Sequence, residues 1–312
     1  MSQHKKILVY IGILFTMLFW SYSFLWYKDV YHYLPPFTTI FFRLLVSSVL
    51  LLIVSVAFGK LERIRKADIK YVFLLAFFEP FLYFVGESQG MLLVTPTTAS
   101  VIVSVIPLLI PFFAFLFLKE RVSIKNILGI LVSFFGVLLV IMNRNFELTA
   151  SGKGVMLMSV SVVSAIFYAI VLKKLAATYN PFTLITLQNT IGAVMFLPLM
   201  LYYDLPVLNT GMMTLQALIP ILKLAIFASS IAFMLYTYAI QMLGAVKTNI
   251  FTNLIPVMTA FLSFIFLGEQ LLVHNLIGIL LVIGGLILSQ TNPLKKLTTN
   301  WAQSHPIPRE RS

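Results

Sequence analysis

Three charged side chains lie deep within long apolar stretches of this sequence, where a charge is costly. Glu79 and Glu87 share one such stretch, and Arg43 lies in the stretch before it. A charge at the centre of a lipid bilayer costs about 3 kcal/mol or more unless it is paired or hydrated. These residues are therefore the first candidates for binding a substrate or a coupling ion.

The type and surroundings of each charged residue indicate its chemistry. Glu79 is suited to take up a proton or to bind a substrate amine; its alternative role is that of a protonated group hydrogen-bonded between helices. Pro80 is expected to disturb the helix at this point, and Tyr83 shares the helical face of Glu79. Arg43 is suited to pair with Glu87 or to bind an anionic substrate group, and it could instead extend to the membrane surface.

Neutral polar and aromatic residues in other apolar stretches complete the set of candidates. Ser100 and Ser104 are spaced one helical turn apart, as are Asn249 and Asn253. A buried asparagine requires hydrogen-bond partners, although such residues also mediate packing between membrane helices. The further candidates are Trp20, Tyr22, Tyr168 and Gln188 for a cavity wall, with Pro80, Pro107 and Pro256 as sites of helix breaks or gating.

The residues that soluble enzymes use are scarce. The sequence has no cysteine, and its four histidines lie in termini or loops without the paired spacing of a metal site. Phosphate-binding glycine loops and the nucleophile-elbow motif are also missing from the sequence. We therefore predict that the protein is not an enzyme and needs neither a metal nor a cofactor.

The composition identifies the elements that position these residues. Of the 312 residues, 60% are hydrophobic and 10% are charged, against about 25% charged in a soluble domain. Ten apolar stretches reach the roughly 20 residues that a membrane-spanning helix requires. They cover about 7–27, 37–58, 70–90, 97–118, 124–142, 154–172, 182–203, 217–238, 246–267 and 271–290. The sequence therefore predicts an all-α polytopic membrane protein.

The basic residues indicate the orientation of the spans. The net charge is +12, from 22 basic and 10 acidic residues. With the N-terminus in the cytoplasm, 17 basic residues lie on the cytoplasmic side and three outside, with Arg43 and Lys223 within spans. Cytoplasmic loops of membrane proteins carry such an excess. Both termini are therefore predicted to be cytoplasmic, and nucleic acid is not an expected partner.

The two halves of the chain repeat one another. Residues 106–136 and 255–285 align without gaps, and 12 of these 31 positions are identical, among them Pro107 and Pro256. Each repeat holds five spans, and because five is odd, the second copy enters the membrane with opposite polarity. We predict one domain over 1–148, a second over 149–292 and a basic cytoplasmic tail over 293–312.

Several motifs resemble the EamA-type domain of the drug/metabolite transporter superfamily. They are the Phe19-Trp20-Ser21-Tyr22-Ser23-Phe24 segment, Tyr33-Leu34-Pro35-Pro36 with Arg43, and Pro107 with Leu118-Lys119-Glu120-Arg121, which returns as Pro256 with Leu267-Gly268-Glu269-Gln270. The resemblance covers residues 7–290 as two tandem domains. It implies a ten-span transporter of amino acids or other small metabolites. Ser21 and Gln188 depart from the pattern, since Gly and Arg are expected there.

These observations lead to one functional expectation and its rivals. The protein is expected to export or exchange a small polar metabolite by alternating access, in the cytoplasmic membrane of a bacterium. Protons are the candidate coupling ion, and a homodimer is left open. The alternatives are a facilitator that needs no ion and, from another class, a membrane-embedded enzyme or a lipid-handling protein.

Overall fold

The structure, a computed structural model, describes residues 3–119, 122–141, 151–208, 212, 214–267 and 272–290. Within these ranges every regular element is a helix. Ten helical segments follow one another: α1 (Gln3–Val30), α2 (Pro36–Ala57), α3 (Lys66–Gly90), α4 (Pro96–Leu118), α5 (Ile124–Ile141), α6 (Gly152–Ala176), α7 (Pro181–Val207), α8 (Leu215–Leu243), α9 (Ala245–Phe266) and α10 (Val273–Gln290). The predicted tail over 293–312 lies outside the described residues, as do Glu120 and Glu269.

The helices have the length and composition of membrane spans. Eight are long and apolar enough to cross a bilayer, and α5 and α10 are shorter apolar helices. Proline lies in the first turn of α2, α4 and α7, where its missing N–H group would have had no partner within the helix. The prediction of an all-helical membrane protein is confirmed, with boundaries close to those expected.

The helices of the first half pack mainly against those of the second. The most extensive contacts join α5 with α10, α2 with α7, α3 with α6 and α1 with α8. Under the repeat, α1 corresponds to α6 and α3 to α8, so the last two pairs are equivalent to each other. The core of the protein is therefore an interface between the two halves.

The contact between α5 and α10 is made by backbone atoms. A Cβ atom added to Gly129 would lie 2.5 Å from the carbonyl oxygen of Gly285, and one added to Gly136 would lie 2.7 Å from that of Gly278. These four glycines are two of the pairs that the repeat alignment matches. Glycine is required here because any side chain would push the helices apart.

Asparagine side chains secure both ends of the same helix pair in a reciprocal manner. Asn126 Nδ2 donates to the carbonyl oxygen of Ser289 at 2.6 Å, and Asn275 Nδ2 donates to that of Leu139 at 3.2 Å. Each bond joins the start of one helix to the last turns of the other. The asparagines matched by the repeat alignment thus have the same task in each half.

Breaks in three helices shape the centre of the protein. The backbone of Glu79 is extended (φ −144°, ψ 120°), and the peptide bond to Pro80 is cis. In α4 the regular helix ends at Val103 and resumes at Ile106, and in α9 a 3₁₀ turn covers Ile250–Asn253. The latter two breaks overlap under the repeat alignment and lie a few residues before Pro107 and Pro256. The break in α3 lies at Glu79 and Pro80, where the sequence led us to expect a disturbance.

Hydroxyl groups and an indole join helices of the first half to helices of the second. From α6, Ser164 and Ser161 donate to the carbonyl oxygens of Phe78 and Tyr83 in α3, at 2.5 and 2.8 Å. From α1, Thr16 and Trp20 donate to carbonyl oxygens of α8, both at 3.3 Å. The α1–α8 and α3–α6 pairs are therefore joined in the same way, by side-chain donors that bond to backbone carbonyl oxygens of the partner helix.

Candidate functional site

A cavity of about 580 Å³, counting the space that is continuous with the outside, lies between the two halves. Residues of α1, α2, α3, α4, α6, α8 and α9 line it. The breaks in α3, α4 and α9 lie at or next to its wall, since Glu79, Val103, Ile106, Thr252 and Ile255 all belong to the lining. A central site formed by both halves is the geometry that a transporter requires.

Arg43 lies at one side of this cavity and is held by both halves. Its side chain is 2% exposed. The guanidinium donates through Nη1 to the hydroxyl of Tyr27 in α1 and through Nε to Oγ of Ser229 in α8. Its central carbon lies 4.4 Å from the centroid of the Phe84 ring, a cation–π distance. The guanidinium is therefore buried in the protein, and the alternative of an extension to the membrane surface is wrong.

Glu87 is a second buried charged residue beside Arg43 and Tyr27. Its side chain is 4% exposed, and its carboxylate interacts with the hydroxyl groups of Tyr27 and Tyr83 as well as with the charge of Arg43. The hydrogen bonds of Arg43 go to Tyr27 and Ser229 rather than to Glu87. Tyr27 therefore lies beside both charged groups, and the recorded partners of the Arg43 guanidinium are hydroxyl groups rather than the Glu87 carboxylate.

Glu79 has no such partner. Its side chain is 7% exposed and borders the cavity. The described residues that act on its carboxylate, Glu87 and Arg43, do so through their charges and not through a hydrogen bond. Arg43, Glu79 and Glu87 are the charged residues of the lining, so one acidic group of the cavity remains uncompensated. This arrangement is suited to bind a proton or a cationic group of a substrate.

The second half covers the opposite side of the cavity with neutral residues. The hydroxyl of Tyr236 donates to Oδ1 of Asn249 at 2.8 Å, and Nδ2 of Asn249 donates to the carbonyl oxygen of Ala245 at 2.9 Å. Trp20 reaches across from α1, with its ring centroid 5.0 Å from that of Tyr236. This wall offers aromatic surface and hydroxyl groups but no charge.

The structure brings seven of the predicted site residues together around the cavity. They are Trp20, Arg43, Glu79, Tyr83, Glu87, Tyr168 and Asn249. The other candidates lie elsewhere. Tyr22 stacks on Trp26, with ring centroids 5.5 Å apart. Ser100 and Ser104 are buried and donate within α4 to the carbonyl oxygens of Thr97 and Val101.

Asn253 and Gln188 are also buried away from the cavity wall. Asn253 donates to Oγ of Ser133 in α5 at 2.8 Å, so it secures a helix contact. Gln188 is fully buried in α7. Of the two equivalent polar pairs in α4 and α9, only Asn249 therefore reaches the cavity.

The proline candidates mark the broken segments but do not line the cavity. Pro80 packs against Gly192 of α7, where a Cβ atom would overlap the proline ring. Pro107 and Pro256 are buried just after the turns in α4 and α9. Their effect on the site is therefore indirect, through the backbone that presents Ile106 and Ile255.

Sequence reasoning missed three residues that organise the site, namely Tyr27, Ser229 and Tyr236. Tyr27 belongs to the aromatic end of α1, where several tyrosines and tryptophans follow one another. Ser229 and Tyr236 lie in α8 among residues of similar type. A hydroxyl group in an apolar helix is a weak signal, because it reveals its partner only after the helices have packed.

Comparisons with known proteins agree with this geometry. The model of the EamA-like transporter family matches residues 7–142 and again residues 152–291. The chain belongs to the EamA-like transporter family. It is a transporter and a multi-pass protein of the cell membrane.

Curated relatives cover nearly the whole chain. An uncharacterized transporter of Archaeoglobus fulgidus is 27% identical over 279 residues, covering 89% of this chain and 97% of that protein. The uncharacterized transporter YyaM of Bacillus subtilis is 29% identical over 293 residues, covering 91% and 93%. A solved crystal structure is similar with a TM-score of 0.75 at 16% identity, covering 90% of this chain and 97% of that one. At this identity, the structural likeness concerns the fold alone.

Proposed function

We propose that the protein is a secondary transporter that exports or exchanges a small polar metabolite, such as an amino acid, by alternating access. The observation that carries this proposal is the uncompensated carboxylate of Glu79 in a cavity between the two halves. A site at this position can be exposed to each side in turn when the halves rock against each other.

The proposal includes a topology of ten spans with both termini in the cytoplasm. The two domains, 1–148 and 149–292, would be inverted copies, and the basic tail over 293–312 would lie in the cytoplasm. The reciprocal bonds of Asn126 and Asn275 and the equivalent α1–α8 and α3–α6 pairs support an inverted arrangement. The excess of basic residues in alternate loops supports the orientation.

In this mechanism Glu79 binds either a proton or the amine of the substrate. Occupation by one excludes the other because both require the same carboxylate, and this competition would couple the two fluxes. Arg43 and Glu87 act as a positioning pair, since their hydrogen bonds and charges are already used within the protein. Trp20, Tyr168 and Tyr236 provide a surface for the apolar part of the substrate.

The first step of the test identifies the substrate. Metabolites are profiled in cells and medium with the protein expressed and with the gene deleted. A compound whose external concentration follows expression is then used in proteoliposomes that contain the purified protein.

The second step tests the role of Glu79. We expect wild-type flux to depend on pH and to respond to a protonophore, whereas Glu79→Gln loses both responses. Glu79→Gln removes the interaction of the carboxylate with a proton or a substrate amine. A tenfold change of rate corresponds to about 1.4 kcal/mol of activation free energy, so we expect this loss to slow flux at least about tenfold at neutral pH. Asp29→Asn serves as the control with the same charge change, because Asp29 is an exposed acid near the end of α1 and does not line the cavity.

An unchanged pH dependence in Glu79→Gln would contradict the coupling role. Wild-type flux that is insensitive to ionophores would instead favour a facilitator that needs no ion. Both outcomes leave the identification as a transporter intact.

A further inference from the structure

A cluster of basic residues lies where α3 begins and α6 ends. Lys66 and Lys70 belong to the first turns of α3, and Lys174 belongs to the last turn of α6. All three side chains are exposed. The two helices pack against each other, so the cluster is formed by the fold and not by a single run of sequence.

Tyr71 organises the cluster. Nζ of Lys174 lies 3.6 Å from the centroid of the Tyr71 ring, and Nζ of Lys70 lies 5.1 Å from it. Both distances are within the range of cation–π contacts. One ring therefore contacts ammonium groups from two different helices.

The acidic residues nearby are engaged elsewhere. Oδ2 of Asp68 accepts a hydrogen bond from the hydroxyl of Tyr179 at 2.7 Å. Oε2 of Glu62 accepts one from the backbone N–H of Asn180 at 2.8 Å. These bonds join the loop before α3 and the first turn of α3 to the loop after α6, so both carboxylates bond to that loop. The cluster thus keeps an excess of positive charge.

The adjacent lysine of α6 provides a contrast. Nζ of Lys173 donates to the carbonyl oxygen of Ile240 at 3.0 Å, near the end of α8, where a cation also interacts favourably with the helix dipole. Lys173 is therefore part of the packing between helices, whereas Lys174 is exposed and its ammonium group lies over the ring of Tyr71.

An exposed apolar strip continues from the cluster along α3. Ile69 is 56% exposed and Phe73 is 50% exposed, and the ring of Phe73 stacks on that of Phe77 with centroids 6.5 Å apart. In a membrane protein such a strip faces acyl chains, and the charged end of the strip lies at the level of the headgroups. The combination matches the two parts of one lipid molecule.

We infer that Lys70 and Lys174, arranged around Tyr71, bind the phosphate of an anionic phospholipid whose acyl chains lie along Ile69 and Phe73, with Lys66 adding positive charge one helical turn before Lys70. Basic pockets between membrane helices bind anionic headgroups in this manner. The bound lipid would tie α3, which carries Glu79 and Glu87, to α6 of the other half. The inference depends on the membrane location of the chain and not on the identity of the transported substrate.

The experiment measures lipid binding to the intact protein. Detergent-purified protein is titrated with phosphatidylglycerol or with phosphatidylcholine of the same acyl chains, and bound lipid is counted by native mass spectrometry. We expect a saturable phosphatidylglycerol adduct with the wild type. Since lysine side chains attract anionic lipid headgroups, we expect the double variant Lys70→Gln/Lys174→Gln to weaken binding at least about tenfold.

Matched variants separate a site from a general effect of charge. Lys28→Gln/Lys223→Gln removes the same charge from exposed lysines of α1 and α8, and we expect it to bind like the wild type. Lys70→Arg/Lys174→Arg keeps the charge and is expected to retain binding. Equal phosphatidylglycerol binding by the Gln double variant and the wild type would overturn the inference, as would an equal loss in the Lys28/Lys223 control.

The source of the phosphate is tested by competition. Inorganic phosphate or glycerol 3-phosphate at millimolar concentration is added to the loaded protein. Retention of the lipid supports the phospholipid site, because the acyl chains contribute to binding. Displacement by free phosphate would show a site for a soluble anion and would overturn the lipid assignment. The Glu79 transport assay distinguishes this result from a failure of the proposed function.

Discussion

The two halves of the protein have the same scaffold but contribute different chemistry to the cavity. In the scaffold, Asn126 and Asn275 make reciprocal bonds, and Gly129, Gly136 and Gly285 let α5 and α10 meet at backbone distance. At the cavity, the first half provides Arg43, Glu79 and Glu87, whereas the second provides tyrosine, phenylalanine, asparagine and threonine. The difference shows that the repeat preserves packing, where equivalent contacts must match, and that the cavity is free to diverge.

The divergence is clearest at Arg43 and Gln188, which correspond under the repeat. Arg43 donates to partners in α1 and α8 and borders the cavity. Gln188 is fully buried in α7 and does not line the cavity. One position has thus become part of an electrostatic site, while its counterpart belongs to the protein interior.

The largest expected effect tests the difference between Arg43 and Gln188, the matched positions of the two halves. Arg43→Ala leaves Glu87 buried without its counter-charge, and removal of one member of a buried pair costs about 3–5 kcal/mol. Gln188→Ala removes a neutral side chain and is expected to cost roughly 1–3 kcal/mol. Thermal unfolding in detergent measures both, with Arg43→Lys included to restore the charge alone. Equal losses for the two alanine variants would show that the halves do not differ here.

The next effect tests whether α5 and α10 contribute equally to the contact between them. A Cβ atom at Gly136 would meet backbone atoms of α10 at 2.7 Å, and one at Gly285 would meet backbone atoms of α5 at 2.5 Å. Because backbone atoms cannot turn aside as a side chain can, Gly136→Val and Gly285→Val should each cost about 1–3 kcal/mol. Gly284→Val, where a Cβ meets nothing within 4 Å, is the control. A large loss for only one of the first two variants would contradict an equivalent interface.

The smallest effect concerns the reciprocal asparagines. Asn126→Ala and Asn275→Ala each remove a side chain that bonds within its own helix start and to the partner helix. We expect a similar loss of about 1–2 kcal/mol for each, measured as a shift of the unfolding midpoint. The double variant should lose about the sum, since the two bonds lie at opposite ends of the helix pair. If Asn126→Ala and Asn275→Ala lowered the stability by very different amounts, the asparagines would not be equivalent, and only the glycine contacts would remain symmetric.

Much of the fold could be predicted because hydrophobicity and length leave few alternatives. A run of about 20 apolar residues can satisfy its backbone in a membrane only as a helix, and the ten predicted stretches correspond to α1–α10. The same reasoning found Glu79, Glu87 and Arg43, since a charge is rare and costly in such a run. It also named Ser100 and Ser104 of α4 as site residues, but neither lines the cavity. Small polar residues can form hydrogen bonds within their own helix, as these two serines do.

The sequence by itself determined the helices, the repeat and the few charged groups that require an explanation. Only the tertiary structure decided which of these charges are compensated. Tyr27 and Ser229 lie far apart in the chain, yet both bond to Arg43, and the packed helices bring Arg43, Glu79 and Glu87 to one cavity. The physical reason is that hydrophobicity along the chain determines each helix separately. Hydrogen bonds and charge compensation in the core depend on which helices pack against each other.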